Sequence, residues 1–131
     1  MTKTPVILLV EDERPLLSAI QAKLELNGLD SVSARTVKQA IDYLETLPVV
    51  DLIWLDHYLL GKEDGIDFVA RVKNEEKWRH IPIFVVSNTA TAEKKHTYIN
   101  LGVNKYYVKS DHRLDGIVKD VKELLENKSH D

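Results

Sequence analysis

Three carboxylates, a hydroxyl and an ammonium stand directly after short apolar runs in this chain. Glu11 and Asp12 follow Val6-Ile-Leu-Leu-Val10, and Asp56 follows Asp51-Leu-Ile-Trp-Leu55. Ser87 follows Ile81-Pro-Ile-Phe-Val-Val86, and Lys109 follows Lys105-Tyr-Tyr-Val108. Carboxylates brought together repel one another and hold protons more tightly unless a cation is present. A hard divalent ion with oxygen ligands relieves that crowding, and Mg2+ takes one or two carboxylates while keeping several waters. Beside such an ion Asp56 is suited to act as a nucleophile toward a phosphoryl group, giving an acyl phosphate. The metal and Lys109 would neutralise charge on the phosphoryl oxygens, and Ser87 would hydrogen-bond one of them.

Singly, these residues have ordinary readings. A carboxylate after a strand is commonly a helix cap, Ser87 alone suits a turn, and Lys109 alone suits a solvated surface. Asp51 precedes its strand, at the opposite end from Asp56, and reads as structural. What favours chemistry is the coincidence of all five at the matching ends of their strands.

Those ends must therefore meet. Val6–Val10, Asp51–Leu55 and Ile81–Val86 are continuous apolar runs of the kind buried on both faces of a sheet, with Lys105–Val108 shorter and Ser31–Ala34 suited to an edge. Between them lie helical patterns: Pro15–Asn27 stopped by Gly28, a Thr36-to-Gln39 capping box opening the next, Asp64–Glu76, Thr91–Leu101 ended by Gly102, and a stripe from Leu114 to Leu125. Gly116 predicts a late or frayed start to the last helix. Strand and helix alternate five times, which builds a parallel sheet covered on both faces. In such sheets ligands sit outside the carboxyl ends of the strands, at the point where strand order reverses. The expected architecture is α/β, a doubly wound three-layer sandwich, as one domain over 1–131 with a core of about 5–126 and a polar tail, Asn127–Asp131.

The composition fits this. The chain has 131 residues, 44% hydrophobic and 30% charged, enough for one core and too apolar for a disordered chain. A net charge of -3 argues against nucleic acid or an anionic membrane as the main partner. There is no cysteine, so thiol catalysis, disulfides and thiolate metal sites are excluded. Val6–Val10 is too short for a signal peptide or a membrane span, so a cytoplasmic location is expected.

Several stretches together resemble the receiver domains of two-component response regulators, over essentially the whole chain from Val6 to about Leu125. They are Ile7-Leu-Leu-Val-Glu-Asp-Glu13, Leu55-Asp56 with a loop to Asp64-Gly65, Val85-Val-Ser87, and Leu101-Gly-Val-Asn-Lys-Tyr-Tyr-Val-Lys109. The resemblance implies the flavodoxin-like strand order 2-1-3-4-5. It implies a phosphoryl group accepted on Asp56 from a histidine kinase or phosphotransfer protein. Mg2+ would be held by Asp12, Asp56 and the backbone carbonyl of Tyr58, with Glu11 acting mainly through a metal-bound water. Ser87 would move toward the phosphoryl group, Tyr106 would rotate inward behind it, and Lys109 would pair with it. Such a protein is a switch rather than an enzyme in its own right, and it signals to a downstream protein target without direct contact to nucleic acid.

The chain departs from the family pattern at four places. Leu60 stands where Pro is usual, the spacing from Asp56 to Gly65 is one residue longer, Asn88 replaces a small residue, and Ser110 replaces a Pro. Side chains at Tyr58 and Thr89 would tune the lifetime of the phosphoryl group. The fourth helix, with Lys94, Lys95, His96 and Tyr98, would form an output face with the last strand and helix. That face, residues 91–126, would serve a monomer or a phosphorylation-dependent homodimer. His57 and His80 lack zinc-site spacing and read as structural or solvated, and Trp54 and Trp78 read as packing residues. A second reading is a receiver-like module that docks without phosphorylation. A small aspartyl phosphatase is a weaker third, because Tyr58 stands where its acid/base Asp belongs.

Overall fold

In the computed structural model, which describes residues 3–88 and 91–129, the apolar runs are strands and the periodic segments helices. The strands are Val6–Val10 (β1), Asp30–Ala34 (β2), Leu52–Leu55 (β3), Ile83–Ser87 (β4) and Lys105–Val108 (β5). They alternate with Arg14–Leu26 (α1), Val37–Thr46 (α2), Gly65–Asn74 (α3), Ala92–Leu101 (α4) and Leu114–Ser129 (α5). All pairings are parallel, in the order β2-β1-β3-β4-β5. This is the doubly wound, flavodoxin-like order expected, with β1 at the point where the winding reverses.

Side chains one apart on a strand point to opposite faces, so each strand feeds two cores. Leu8, Val10, Ile53, Leu55, Ile83 and Val85 pack with residues of α2, α3 and α4. Ile7, Leu9, Leu52, Trp54, Phe84 and Val86 pack with residues of α1 and α5. Trp54 is thus a core residue, and Trp78 packs partly buried against the other layer. Burying one such aliphatic side chain contributes roughly 1.5–3 kcal/mol. Asp51 has its structural role: its Oδ2 accepts the Val6 N–H at 2.8 Å, tying the entry of β3 to that of β1.

The helix ends follow the sequence with three corrections. Thr36 caps α2 by accepting from Gln39 N, but the side chain of Gln39 accepts from Arg35 N rather than closing a box on Thr36. The complete capping box lies at α3 instead, where Asp64 accepts from Asp67 N and Asp67 accepts from Asp64 N. Gly116 neither delays nor frays α5, which starts at Leu114 and continues through Ser129, so most of the expected polar tail is helical. The exposed Glu126 and Asn127 need no burial to continue the helix, and residues 130–131 lie outside those described. Elsewhere boundaries move by one or two residues; β4 begins after Pro82, which cannot donate to the ladder but accepts from Ile53 N through its carbonyl at 2.9 Å.

Gly116 sits exposed in the first turn of α5, and a Cβ there would meet nothing within 4 Å. Gly116→Ala is expected to raise stability by about 0.5 kcal/mol through lost chain entropy in the unfolded state. Urea unfolding of both proteins measures this, and a lower midpoint for the variant would contradict it.

Candidate functional site

The register places the five residues at one rim. Val10 pairs with Leu55, Leu55 with Val85, and Ser87 with Val108. The chain is still in the ladder one residue further on, since Asp56 N–H donates to Val10 O at 2.9 Å and Glu11 N–H to Ala34 O at 3.0 Å. Glu11 and Asp56 therefore stand level on adjacent strands, with Asp12 beside them and Lys109 reaching across from the end of β5.

This is a buried ionic site. Glu11 is 1% exposed and Asp56 5%, while Asp12 is half-buried. One carboxylate oxygen from each of Glu11, Asp12 and Asp56 lies within 4.8 Å of the others, close enough to share one ion. Lys109 Nζ donates to Glu11 Oε1 at 2.9 Å and to Asp56 Oδ2 at 3.3 Å. Glu11 Oε2 accepts from Glu13 N at 3.2 Å. Asp56 Oδ1 is buried and has no hydrogen-bond partner among the described residues. A buried, unpaired carboxylate oxygen is costly, and a hard cation is the partner its chemistry calls for. The donor set therefore fits Mg2+.

The charges bear this out. Burial pushes the Glu11 carboxyl up to about 7; the bond from Lys109 opposes the shift and the charge of Asp56 adds to it. Burial pulls the Lys109 ammonium down, but the bond to Glu11 and the charges of Asp56 and Glu11 outweigh it and hold the pKa above its ordinary value. One ammonium faces three acidic groups, an imbalance that a divalent cation corrects.

Ser87 ends β4 fully buried, and Tyr106 in β5 is half-buried with its ring 5.7 Å from that of Tyr98. Burial raises the Tyr106 hydroxyl, helped by Tyr58 and Asp56. The Tyr58 side chain is half-exposed beneath Lys94, whose Nζ lies 5.5 Å from the ring centroid. Thr89 lies outside the described residues, and Asn88 is exposed. Ser110 continues from Lys109 into a short 3-10 turn, Lys109–Asp111, and no cis peptide occurs among the described residues.

The site has a second layer that local sequence did not reveal. His57, next to Asp56, is 2% exposed, with Nδ1 2.6 Å from the Tyr98 hydroxyl and Nε2 2.9 Å from Lys94 Nζ. An ammonium only donates, so Nε2 is assigned as the acceptor and the proton of the neutral ring to Nδ1, facing Tyr98. Burial and then Lys94 lower the pKa of His57 against the opposing charges of Asp64, Asp56 and Asp67, which favours the neutral ring. Tyr98 is fully buried, so it does not belong to an open output face as expected from sequence, while Lys94 is half-buried and held against His57. The helix turns Tyr98 inward because Gly65 leaves room: a Cβ there would run into the Tyr98 hydroxyl and lie 3.1 Å from both Asp56 O and His57 Cα. Gly65 N–H also donates to His57 O at 2.9 Å, joining the start of α3 to this loop.

The departure at Leu60 also has a physical reading. Leu60 N–H donates to Arg35 O at 3.0 Å, and Leu60 forms an isolated parallel bridge with Thr36. A proline there would have no N–H to give. The longer loop, turning through Gly61 at φ +90°, thus hydrogen-bonds to the segment after β2.

The model of the response regulator receiver domain matches residues 7–122. The chain belongs to that family. This receiver is 34% identical over 103 residues to the phosphate regulon transcriptional regulatory protein PhoB of Escherichia coli (strain K12), which covers 79% of the chain and 44% of that protein. It therefore spans less than half the length of the curated relatives it matches. Among solved structures it is similar to the phosphorylated cyanobacterial phytochrome response regulator RcpA, at 29% identity and TM-score 0.85 over 96% of each chain. It is also similar to the Mn2+-bound response regulator Rcp1, at 27% identity and TM-score 0.79 over 90% of this chain and 91% of that one. Receivers of this family bind Mg2+ at an acidic pocket and take part in two-component signalling. No helix among the described residues is long and apolar enough to cross a membrane.

Two outcomes follow from these contacts. Because the folded-state pKa of Glu11 lies above its unfolded value, ionising it disfavours the fold. The stability of the metal-free receiver, relative to Glu11→Gln, should be highest below pH 4.5 and fall as pH rises toward about 7. Denaturant unfolding in chelator across that window tests this, and a flat difference would contradict it. Tyr98→Phe leaves the His57 Nδ1–H buried without an acceptor and should cost about 1–3 kcal/mol by the same method; an unchanged midpoint would show that the bond is dispensable.

Proposed function

We propose that this chain is a phosphoryl-accepting signalling switch. A carboxylate oxygen of Asp56 attacks the phosphorus of a phosphohistidine on a histidine kinase or phosphotransfer protein. The P–N bond breaks as the P–O bond forms, and the histidine leaves with the electron pair and takes up a proton. Asp12, Asp56 and the Tyr58 carbonyl would hold Mg2+ there, with Glu11 acting through a bound water; the ion supplies charge neutralisation for the transferring group.

Asp56 Oδ1, buried, without a partner among the described residues and on a side chain grouped with two other carboxylates and Lys109, carries this reading. Lys109 is already oriented by Glu11 and Asp56, so its ammonium needs little rearrangement to meet a phosphoryl oxygen. Ser87 and Tyr106 are the switching side chains: a phosphoryl group that bonds better to one arrangement of them than the other shifts the population. The readout surface is the outer side of α4, β5 and α5, within residues 91–126. There Lys95, His96 and the half-exposed Ile99 remain open to a downstream protein or a second copy of the chain. The site is expected to work in the cytoplasm, where such donors are made, and without binding nucleic acid itself.

Intact mass after incubation with Mg2+ and acetyl phosphate tests the chemistry. Wild type should gain one phosphoryl group, with no gain in Asp56→Asn or without Mg2+. Equal labelling of Asp56→Asn would place the acceptor elsewhere and overturn the assignment.

A further inference from the structure

Asp12 would be a ligand of the cation, yet its carboxylate rises from a loop rather than a strand, and something must hold that loop. The segment just after β2 does so. Ala34 O, at the end of β2, accepts the N–H of Glu11 at 3.0 Å, as though β1 continued one residue further. The next residue, Arg35, closes its guanidinium on the backbone carbonyl of Asp12, with Nε at 3.0 Å and Nη2 at 2.8 Å. Two N–H groups of one planar fork on one oxygen fix direction as well as distance, which a single rotatable ammonium cannot do.

Arg35 is itself held at both ends. Its N–H donates to Gln39 Oε1 at 2.8 Å, and its carbonyl accepts from Leu60 N at 3.0 Å. Leu60 belongs to the loop that begins at Asp56. The loops after β1, β2 and β3 are thereby joined through one residue, and two of them carry carboxylates of the acidic site. Arg35 is half-buried, which removes some of the water that would compete for these bonds.

We propose that Arg35 is a positioning residue for the divalent-cation site. It acts through Asp12: by fixing the peptide of Asp12 it sets where that carboxylate stands relative to Glu11 and Asp56. The inference rests on the cation reading above and goes beyond it by assigning a residue that touches neither metal nor phosphoryl group. Partners that orient metal ligands from outside the coordination shell are typically worth 10–100-fold in affinity. Arg35→Ala should therefore weaken cation binding by roughly tenfold or more, with Arg35→Lys between the two.

Mn2+ serves as the probe, its free concentration read from the electron paramagnetic resonance of the aqueous ion. Affinity is measured for wild type, Arg35→Ala, Arg35→Lys, Asp12→Ala and the double variants Asp12→Ala/Arg35→Ala and Asp12→Ala/Arg35→Lys, with circular dichroism to establish folding. If Arg35 acts through Asp12, removing Arg35 costs affinity in wild type and little once Asp12 is gone. The Arg35→Lys pair keeps the comparison available should Arg35→Ala fail to fold. No Mn2+ binding by wild type would overturn the cation reading itself. Binding by wild type that is equalled by both Arg35 variants would overturn the role of Arg35. The same loss with and without Asp12 would also overturn it, by showing a general effect on the fold.

Discussion

Two carboxylates taken almost wholly out of water, with a third beside them, are the constraint on which the functional end of this protein depends. Each would be cheaper in solvent, and burial pushes the Glu11 carboxyl up to about 7. Among the described residues Lys109 is the only ammonium hydrogen-bonded to them; it bonds Glu11 more closely than Asp56, and Asp56 Oδ1 has no partner among those residues. A rim with excess negative charge and an unmet acceptor is unfavourable for the bare protein and well matched to a cation with a phosphoryl group. The large double core on either side of the sheet offsets that local cost.

The sheet imposes this arrangement rather than permitting it. Parallel pairing of β1 with β3 and of β3 with β4 fixes which residues emerge level, and a slip by one would turn Asp56 into the core layer. The loops add a second set of restraints. Arg35 ties the acidic loop to its neighbours, Gly65 lets α3 begin against Asp56 and His57, and His57 connects the loop to α4 through Tyr98 and Lys94. The site is thus gripped from three directions, one of which leads to the surface where a partner would read it.

Much of this was legible in the sequence for reasons that are local. Val6–Val10 and Ile83–Ser87 are too uniformly apolar to be anything but doubly covered strands, and the residue after such a strand must lie at the rim. Glu11, Asp12, Asp56, Ser87 and Lys109 were found in that way and are brought together. The helix-to-loop contacts were not legible. His57 and Tyr98 are 41 residues apart, and nothing in the polar pattern of α4 marks Tyr98 as its one buried residue. Arg35 likewise reads as a surface charge until its fork is seen on Asp12. The Asp64–Asp67 box was a missed local signal, since a carboxylate three residues after a capping Asp is a recognisable helix start. At Gly116 the poor helix propensity of glycine is outweighed by the apolar stripe that packs α5 on the sheet.

The central claim is that the three carboxylates form one cation site. Calorimetric titration of wild type with Mg2+ at neutral pH, beside Asp12→Asn and Asp56→Asn, tests it most directly. One Mg2+ per chain, with affinity sharply reduced in both variants, is the predicted result. Binding that survives both substitutions, or no binding by wild type at millimolar Mg2+ (a range that weak sites with few carboxylates reach, roughly), would contradict it.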